Sequence, residues 1–408
     1  MTKLESAFYN GCMDGLDKLA QIADCMEDEI DEPIRNGGGR SRPLIDDGPR
    51  RAGETIQSRL KELPIYQVAL PDGQHHAMLK TLLTSACEKN CAYCSFRAGR
   101  DFRRQTFQPD ELAKTFNQLW QKGAVKGLFL SSGVAGGGIL SQDRLLDTAE
   151  ILRKRLRYTG YLHLKIMPGA ERAQVERAMQ LADRVSINLE APNSQRLEKL
   201  APQKGDLEEL LTPLRWVEEI RQKDSPQQGW KGRWPSSTTQ FVAGGAGESD
   251  AELLQTTAFL HSALHLSRVY YSGFHPVPET PLENEPAINP WRQNRLYQAD
   301  FLLRDYGFDF EDFCFGPTGN LSLEVDPKLA WAREHLSRAP IDINQVDYLA
   351  LLRIPGIGPI GARAILSARH LNKLRSLEDL KALGVRISRA APFILLDGKR
   401  PATQLSLW

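Results

Sequence analysis

From about residue 76 the chain alternates short apolar runs with amphipathic helical stretches, and this alternation limits the possible folds more than any other feature. The runs are AMLKTLLT (77–84), GLFLSS (127–132), YLHLKIM (161–167), RVSINLE (184–190), TTQFVAG (238–244) and RVYYSGF (268–274). Between them lie segments such as PDELAKTFNQLWQKG and ERAQVERAMQLAD, with apolar residues at helical spacing. Strand–helix–strand alternation argues for a parallel sheet. Six such units, with no glycine-rich dinucleotide fingerprint after the first strand, point to an α/β barrel-like sheet rather than an open doubly wound one.

Two of the runs carry more than a fold. In RVSINLE, Val185, Ile187 and Leu189 alternate with Arg184, Ser186, Asn188 and Glu190. Side chains two apart share a face of a strand, so the polar groups line one side together. YLHLKIM places His163 and Lys165 in the same way. A structural core does not normally tolerate so many inward polar groups, so the pair of strands predicts a polar cavity. His163 and Lys165 can line it or form a satisfied interior pair.

The flanks read differently. Leu16, Leu19, Ile22 and Ala23 predict one amphipathic helix, followed by six carboxylates between Asp24 and Glu32. The stretch GGGRSRPLIDDGPRRAG then reads as a linker or lid, because it cannot bury enough apolar surface to join a core. From Asp326 the strand pattern stops. The expected organisation is an N-terminal extension over 1–70, a barrel over 71–325 and a helical domain over 326–408. A chain of 408 residues has room for two or three domains. No apolar run approaches the ~20 residues that span a bilayer. The N-terminus MTKLESAFYNGC has no basic-then-apolar leader. The expectation is a protein of the reducing cytoplasm with no membrane partner.

Six cysteines are too few for a disulfide scaffold, but three of them cluster as Cys87-Glu-Lys-Asn-Cys91-Ala-Tyr-Cys94 just after the first run. Three thiolates on a short loop can hold three irons of a [4Fe-4S] cubane and leave the fourth iron open. An open iron can take up the amino and carboxylate groups of S-adenosylmethionine, and an electron from the cluster can then cleave its S–C bond to give a 5′-deoxyadenosyl radical. The alternatives are a zinc site completed by a distant ligand, or three structural cysteines. Zinc sites usually pair two half-sites, and no second pair exists here.

On these residues the chain resembles the radical S-adenosylmethionine (SAM) superfamily, and more narrowly its DNA modification and repair proteins that end in a helix-hairpin-helix. The similar segments include LLTSACEKNCAYC, GLFLSSG, GYLHLKIMPGA, ADRVSINLEAPN, LAPQK, STTQFVAGGAGESD and RVYYSGFHPVP. The resemblance implies a partial (β/α)6 barrel with the cluster on the loop after strand one, held by Cys87, Cys91 and Cys94. Ser131, Ser132 and Gly133 occupy the place of a GGE motif whose backbone holds the methionyl amino group; the Glu is absent. Asn188 and Glu190 stand where ribose or carboxylate contacts are made, and Gly244, Gly245 and Glu248 where adenine approaches the backbone. For the glycines an ordinary strand-to-helix turn is the other reading. Lys165, His163, Tyr271 and His275 are the candidates for the substrate cavity. An external electron donor such as flavodoxin or ferredoxin is implied, as is a uracil-DNA-glycosylase-like repair partner.

The C-terminal segment VDYLALLRIPGIGPIGARAILSARH reads as helix, tight Pro-Gly-Ile-Gly-Pro turn and helix, the helix-hairpin-helix pattern. Gly356 and Gly358 leave N–H groups at a helix N-terminus where a DNA phosphate can bind without sequence being read, and Arg353 and Arg363 add charge. LEDLKALGVRISRAAPFIL is a weaker second copy. A structural hairpin or a protein-docking module is the alternative. Net charge is +1 overall, which excludes a uniformly basic coat, but residues 326–408 hold 13 Lys and Arg against seven Asp and Glu. The expected function is therefore a radical SAM enzyme acting on DNA. The alternatives are a DNA-binding protein with a structural or redox-sensing cluster, or a radical SAM enzyme that modifies RNA.

Overall fold

The computed structural model describes residues 14–26, 60, 62–69 and 75–401. The linker or lid expected before residue 60, and the acidic run beyond Met26, lie outside the described residues. The chain divides into two compact units, Met1–Gly247 with Leu264–Ile288 and Glu248–Ala263 with Asn289–Trp408.

In the first unit, α1 (Gly15–Met26) precedes β1 (Ile65–Ala69) and β2 (His75–Leu82). The alternation then runs α2 (Pro109–Gln121), β3 (Gly127–Ser131), α3 (Gly138–Glu150), β4 (Tyr161–Lys165), α4 (Arg172–Leu181) and β5 (Arg184–Ser186). It continues through α5 (Ser194–Leu200), α6 (Leu207–Lys223), β6 (Ser236–Ala243), α7 (Asp250–Leu264) and β7 (Arg268–Gly273), α7 falling almost wholly in the second unit. The seven strands form one curled sheet in chain order, β2 to β7 parallel and β1 antiparallel to β2. This is the barrel-like parallel sheet expected from the alternation, in the partial (β/α) form that the resemblance implies, with β1 added at one edge. IYQVA is too short and too mixed to stand out as a strand before its partner is known.

Period two divides the sheet into two faces. Leu79, Leu128, Leu130, Leu162, Leu164 and Val185 point to the side where Phe116, Leu145, Leu152 and Met179 pack, all fully buried. That apolar layer is the core. The helix starts are signalled locally: Gln108 and Glu111 form a capping box with Pro109 in the first turn of α2, and Asp206 caps α6 by accepting from Glu209 N–H at 2.8 Å. Arg153 bolts the far end. Its guanidinium donates to the carbonyls of Leu181, Tyr158 and Gly160 and pairs with Asp183 at 2.9 Å.

RVSINLE is a strand only over Arg184–Ser186. Beyond it the Thr239 hydroxyl donates to Ile187 C=O at 2.6 Å and accepts from Leu189 N–H at 3.3 Å, taking the place of two ladder bonds. Pairing with β6 resumes at Glu190, whose φ of 64° lies in the left-handed region. The apolar residues Val185, Ile187 and Leu189 remain buried throughout.

The second unit is built from α8 (Pro290–Asp305), α9 (Pro327–His335), α10 (Tyr348–Arg353), α11 (Pro359–Leu371), α12 (Leu377–Ala382) and α13 (Ile387–Ala390). Two short strands, Ile341–Asp342 and Ile394–Leu395, pair in parallel and tie its ends, so this region is not wholly helical. At the start of α7 the Asp250 carboxylate accepts from Arg292 at 2.7 Å and from Leu321 N–H at 2.9 Å. Among the described residues no helix is long and apolar enough to cross a membrane.

Candidate active site

A cavity opens at the C-terminal ends of the parallel strands, where barrel folds carry their chemistry. Cys87, Cys91 and Cys94 line it together, on the loop that follows β2. The loop is stapled on both sides. Gly133 N–H donates to Thr84 C=O and Glu88 N–H to Val134 C=O, each at 2.8 Å, while Ala92 N–H donates to Leu200 C=O at 2.7 Å. A Cβ on Gly133 would stand 2.2 Å from the Ala86 carbonyl oxygen, so the backbone after β3 approaches the cysteine loop as closely as only glycine permits.

Arg104 closes the loop from within. Its guanidinium donates to the carbonyls of Ser85, Phe96 and Arg97 at 3.1, 3.0 and 2.8 Å and lies over the Phe102 ring. It is therefore engaged by the loop that it ties. The Phe96 N–H donates to Cys94 Sγ at 3.4 Å. Burial pushes the Cys91 thiol up to about 11, with Lys204 pulling the other way. Three thiols on one loop fit the donor set of a cubane with one open iron, and Cys314 belongs to the other unit.

Facing the cysteines is a buried ion pair, Glu190 with Lys204. Glu190 is 1% exposed. Burial alone would lower the Lys204 pKa; Glu190 and Cys91 outweigh it and leave the ammonium more firmly charged. Burial and then the Glu190 charge hold the Tyr93 phenol well above its ordinary value, so it stays protonated beside the carboxylate. Lys204 carries no local signal in the sequence beyond the LAPQK segment, and only the turn after α5 brings it to the cavity.

Of the other expected residues, Ser131, Ser132, Gly133, Lys165, Asn188 and His275 also line the cavity. Lys165 donates to the Asn188 side chain, and His163 meets Ser186 at 2.8 Å one step below. Strand periodicity puts Tyr270 and Ser272 on the cavity face of β7 and turns Tyr271 into the core, where it packs on Phe241. Gly244 and Gly245 lie beyond the lining: a Cβ on either would press on Ile288, or on Leu200 and Phe274. Glu248 belongs to the second unit, its carboxylate 3.6 Å from Arg292.

In the second unit the turn between α10 and α11 has Gly356 at φ +86°, where a Cβ would sit 2.5 Å from the Arg386 carbonyl oxygen. Gly358 precedes Pro359 at the start of α11. Arg386 N–H donates to Gly356 C=O at 3.1 Å, so the turn before α13 backs directly on this one. Arg353 pairs with both oxygens of Asp312 at 2.7 and 2.9 Å and lies over Phe308 and Trp331, whereas Arg363 is exposed.

The chain was compared with known families, curated proteins and solved structures. Residues 81–260 match the model of the Radical SAM superfamily. No curated protein gives a significant match. Similar solved structures include methylornithine synthase (PylB), 14% identical with a TM-score of 0.43, the match covering 55% of this chain and 61% of that one. The FeFe-hydrogenase maturase HydG from Carboxydothermus hydrogenoformans is 13% identical with a TM-score of 0.43, over 55% of this chain and 51% of that one. The radical S-adenosylmethionine methyltransferase TsrM from Kitasatospora setae, with cobalamin and a [4Fe-4S] cluster bound, is 14% identical with a TM-score of 0.39, over 58% and 39%. The matches thus span under two thirds of each of these neighbours. The family match starts in β2 and runs through the cysteine loop and the strands that build the cavity: residues 81–260 form a Radical SAM domain, the domain of enzymes whose cofactors are a [4Fe-4S] cluster and S-adenosylmethionine.

Proposed function

We propose that this radical SAM enzyme acts on DNA, in modification or repair, with residues 71–325 as its barrel and 326–408 as a helix-hairpin-helix module that grips the polynucleotide. Cys87, Cys91 and Cys94 would hold the cluster. Ser131, Ser132 and Gly133 would present main-chain groups to S-adenosylmethionine, and Asn188 and Glu190 would meet its polar atoms. The group supplies reductive cleavage of the S–C bond. The chain's own contribution is to fix the cysteine loop through Gly133 and Arg104, and to keep charge and hydrogen-bond donors around the cavity.

The observation that carries the DNA reading is the turn at Gly356. It is a glycine-only turn opening α11, backed by a second turn of the same kind at Gly384, in a segment of net charge +6. Such a helix start offers N–H groups to a phosphate without reading bases. Arg363, exposed on α11, adds charge to that face, while Arg353 acts as a positioning residue through Asp312. A target atom inside the base stack would require the nucleotide to be extruded. Radical SAM enzymes need an electron donor; we assign that role to flavodoxin or ferredoxin in the cytoplasm, with a uracil-DNA-glycosylase-like protein as a repair partner.

The test is anaerobic reconstitution followed by reductant and S-adenosylmethionine, with 5′-deoxyadenosine measured with and without DNA. Stimulation by DNA is the expected result. A competition between DNA and RNA, repeated with Arg363→Gln and Gly358→Val, locates the contact. Preference for RNA, or affinity unchanged in both variants, would overturn the DNA reading.

A further inference from the structure

The ion pair of Glu190 and Lys204 is tied to the cysteine loop through the backbone. Ala92 N–H, between Cys91 and Cys94, donates to Leu200 C=O at 2.7 Å, where α5 ends. Ala201 N–H donates to Leu197 C=O at 2.7 Å and Lys204 N–H to Ala201 C=O at 2.9 Å, so the turn that carries Lys204 runs on directly from that staple. Lys204 lines the same cavity as the three cysteines, and its side chain is 13% exposed. Glu190 is held from the opposite side by β6: its N–H donates to Gln240 C=O at 2.9 Å, and its C=O accepts from Val242 N–H at 2.8 Å.

The pair is also oriented. Burial raises the Cys91 thiol most, and of the charges that act on it Lys204 comes first, ahead of Glu190. The Tyr93 phenol answers, after burial, to Glu190 first, and a hydrogen bond with that carboxylate adds to the effect. The ammonium is therefore turned towards Cys91 and the carboxylate towards Tyr93. Burial works against the Lys204 charge, and Glu190, Cys91 and Cys94 together outweigh it. The other cations that line the cavity are engaged elsewhere: Lys89 lies 3.9 Å from Glu88, and Lys165 donates to Asn188.

We propose that Lys204 sets the reduction potential of the cluster, its ammonium serving as a fixed counter-charge that makes the cluster easier to reduce. The inference rests on the reading that Cys87, Cys91 and Cys94 hold the cubane, and is independent of what the C-terminal hairpin binds. A cubane on three thiolates carries a net negative charge that deepens when an electron is added, and its potential follows net charge, hydrogen bonding and exposure to solvent. A nearby cation stabilises the reduced form more than the oxidised one, and between buried groups it does so more strongly than in water. Glu190 holds the ammonium in place and partly offsets it, so the pair fixes a value between the two extremes. Lys204 acts through its field alone: the electron comes from an external one-electron reductant, and the side chain exchanges neither electron nor proton.

The experiment is a mediated redox titration of the full-length reconstituted protein with titanium(III) citrate, in the absence of S-adenosylmethionine. The reduced cluster is measured by electron paramagnetic resonance, and iron and sulfide are assayed in each variant. In Lys204→Met the ratio of reduced to oxidised cluster at a fixed potential should fall about tenfold, or ~59 mV for one electron, and Lys204→Arg should restore most of it. Glu190→Gln removes the offsetting charge, so the ratio should rise. A merely structural role predicts the opposite sign for Lys204→Met, because a loosened wall admits water, which favours the more negative state. Lys114→Gln on exposed α2 is the control for general surface charge and should leave the ratio unchanged. An unchanged or raised ratio in iron-loaded Lys204→Met overturns the proposal; if that variant takes up no iron, an unchanged or lowered ratio in Glu190→Gln overturns it. Wild-type protein that takes up no iron and sulfide overturns the cysteine reading and this inference with it, whereas a loaded wild type whose variants do not shift sinks this inference alone.

Discussion

Replacing Lys204 by Met is the sharpest probe of the cavity wall. The substitution keeps side-chain length and removes one charge, leaving the Glu190 carboxylate 1% exposed in the wall. In the wild-type pair the two side chains are 13% and 1% exposed, so water cannot take over the role of the lost ammonium. Breaking such a buried pair from one side costs about 3–5 kcal/mol, because an uncompensated charge remains. For a unit of this size that is a fall in melting temperature of roughly 5–9 °C. The double variant Lys204→Met/Glu190→Leu removes both charges and should recover most of the loss, since a well-packed apolar pair often equals a buried ion pair. The assay is thermal and urea unfolding of the four proteins of this cycle, followed by near-UV circular dichroism. The Glu190 backbone, held at φ 64°, offers an internal check: Glu190→Gly should lose the ion pair yet gain back about 1 kcal/mol of backbone strain. A single-variant loss under about 1 kcal/mol, or a double variant no better than Lys204→Met, would refute the reasoning and place the pair in contact with water.

Gly133→Ala sets a Cβ 2.2 Å from the Ala86 carbonyl oxygen, so the cysteine loop must move; iron and sulfide content after reconstitution should fall while far-UV circular dichroism stays unchanged. In the C-terminal unit burial, then Arg389, lowers the Lys328 pKa to about 7, below its unfolded value. The unfolded chain then binds more protons above pH 7, so stability rises with pH from about 7 towards 10, by at most ~1.4 kcal/mol per unit, and Lys328→Met should flatten that slope. Arg353→Ala should destabilise this unit by about 1–3 kcal/mol by stranding Asp312, whereas Arg363→Gln should leave stability unchanged and reduce the salt slope of DNA binding by about 1. Equal effects of the two arginine variants on unfolding would contradict the division of roles.

Much of the fold is legible because strand and helix periodicities are local. GLFLSS, YLHLKIM and RVYYSGF declare themselves by alternation, and each becomes a strand within a residue or two of its run. Where the reading exceeded the structure, a tertiary partner intervened. RVSINLE is cut after Ser186 because the Thr239 hydroxyl, from a strand fifty residues on, occupies its ladder positions. Tyr271 looked cavity-facing beside Tyr270, and the register of β7 decides between them: one residue of shift exchanges the two faces.

The sequence alone determined that three thiols share one loop, because the spacing of Cys87, Cys91 and Cys94 is a property of one short segment. It also determined the alternation that makes a parallel barrel, since hydrophobic period is written locally. The tertiary structure decided what surrounds that loop. Lys204 reaches Glu190 across a turn, Gly133 touches Ala86 from a neighbouring strand end, and Leu200 meets Ala92 of the cysteine loop. Each of these is a contact between residues far apart in the chain, set by strand register and packing. Charge at a distance in sequence has no meaning until the fold brings it within a few ångströms.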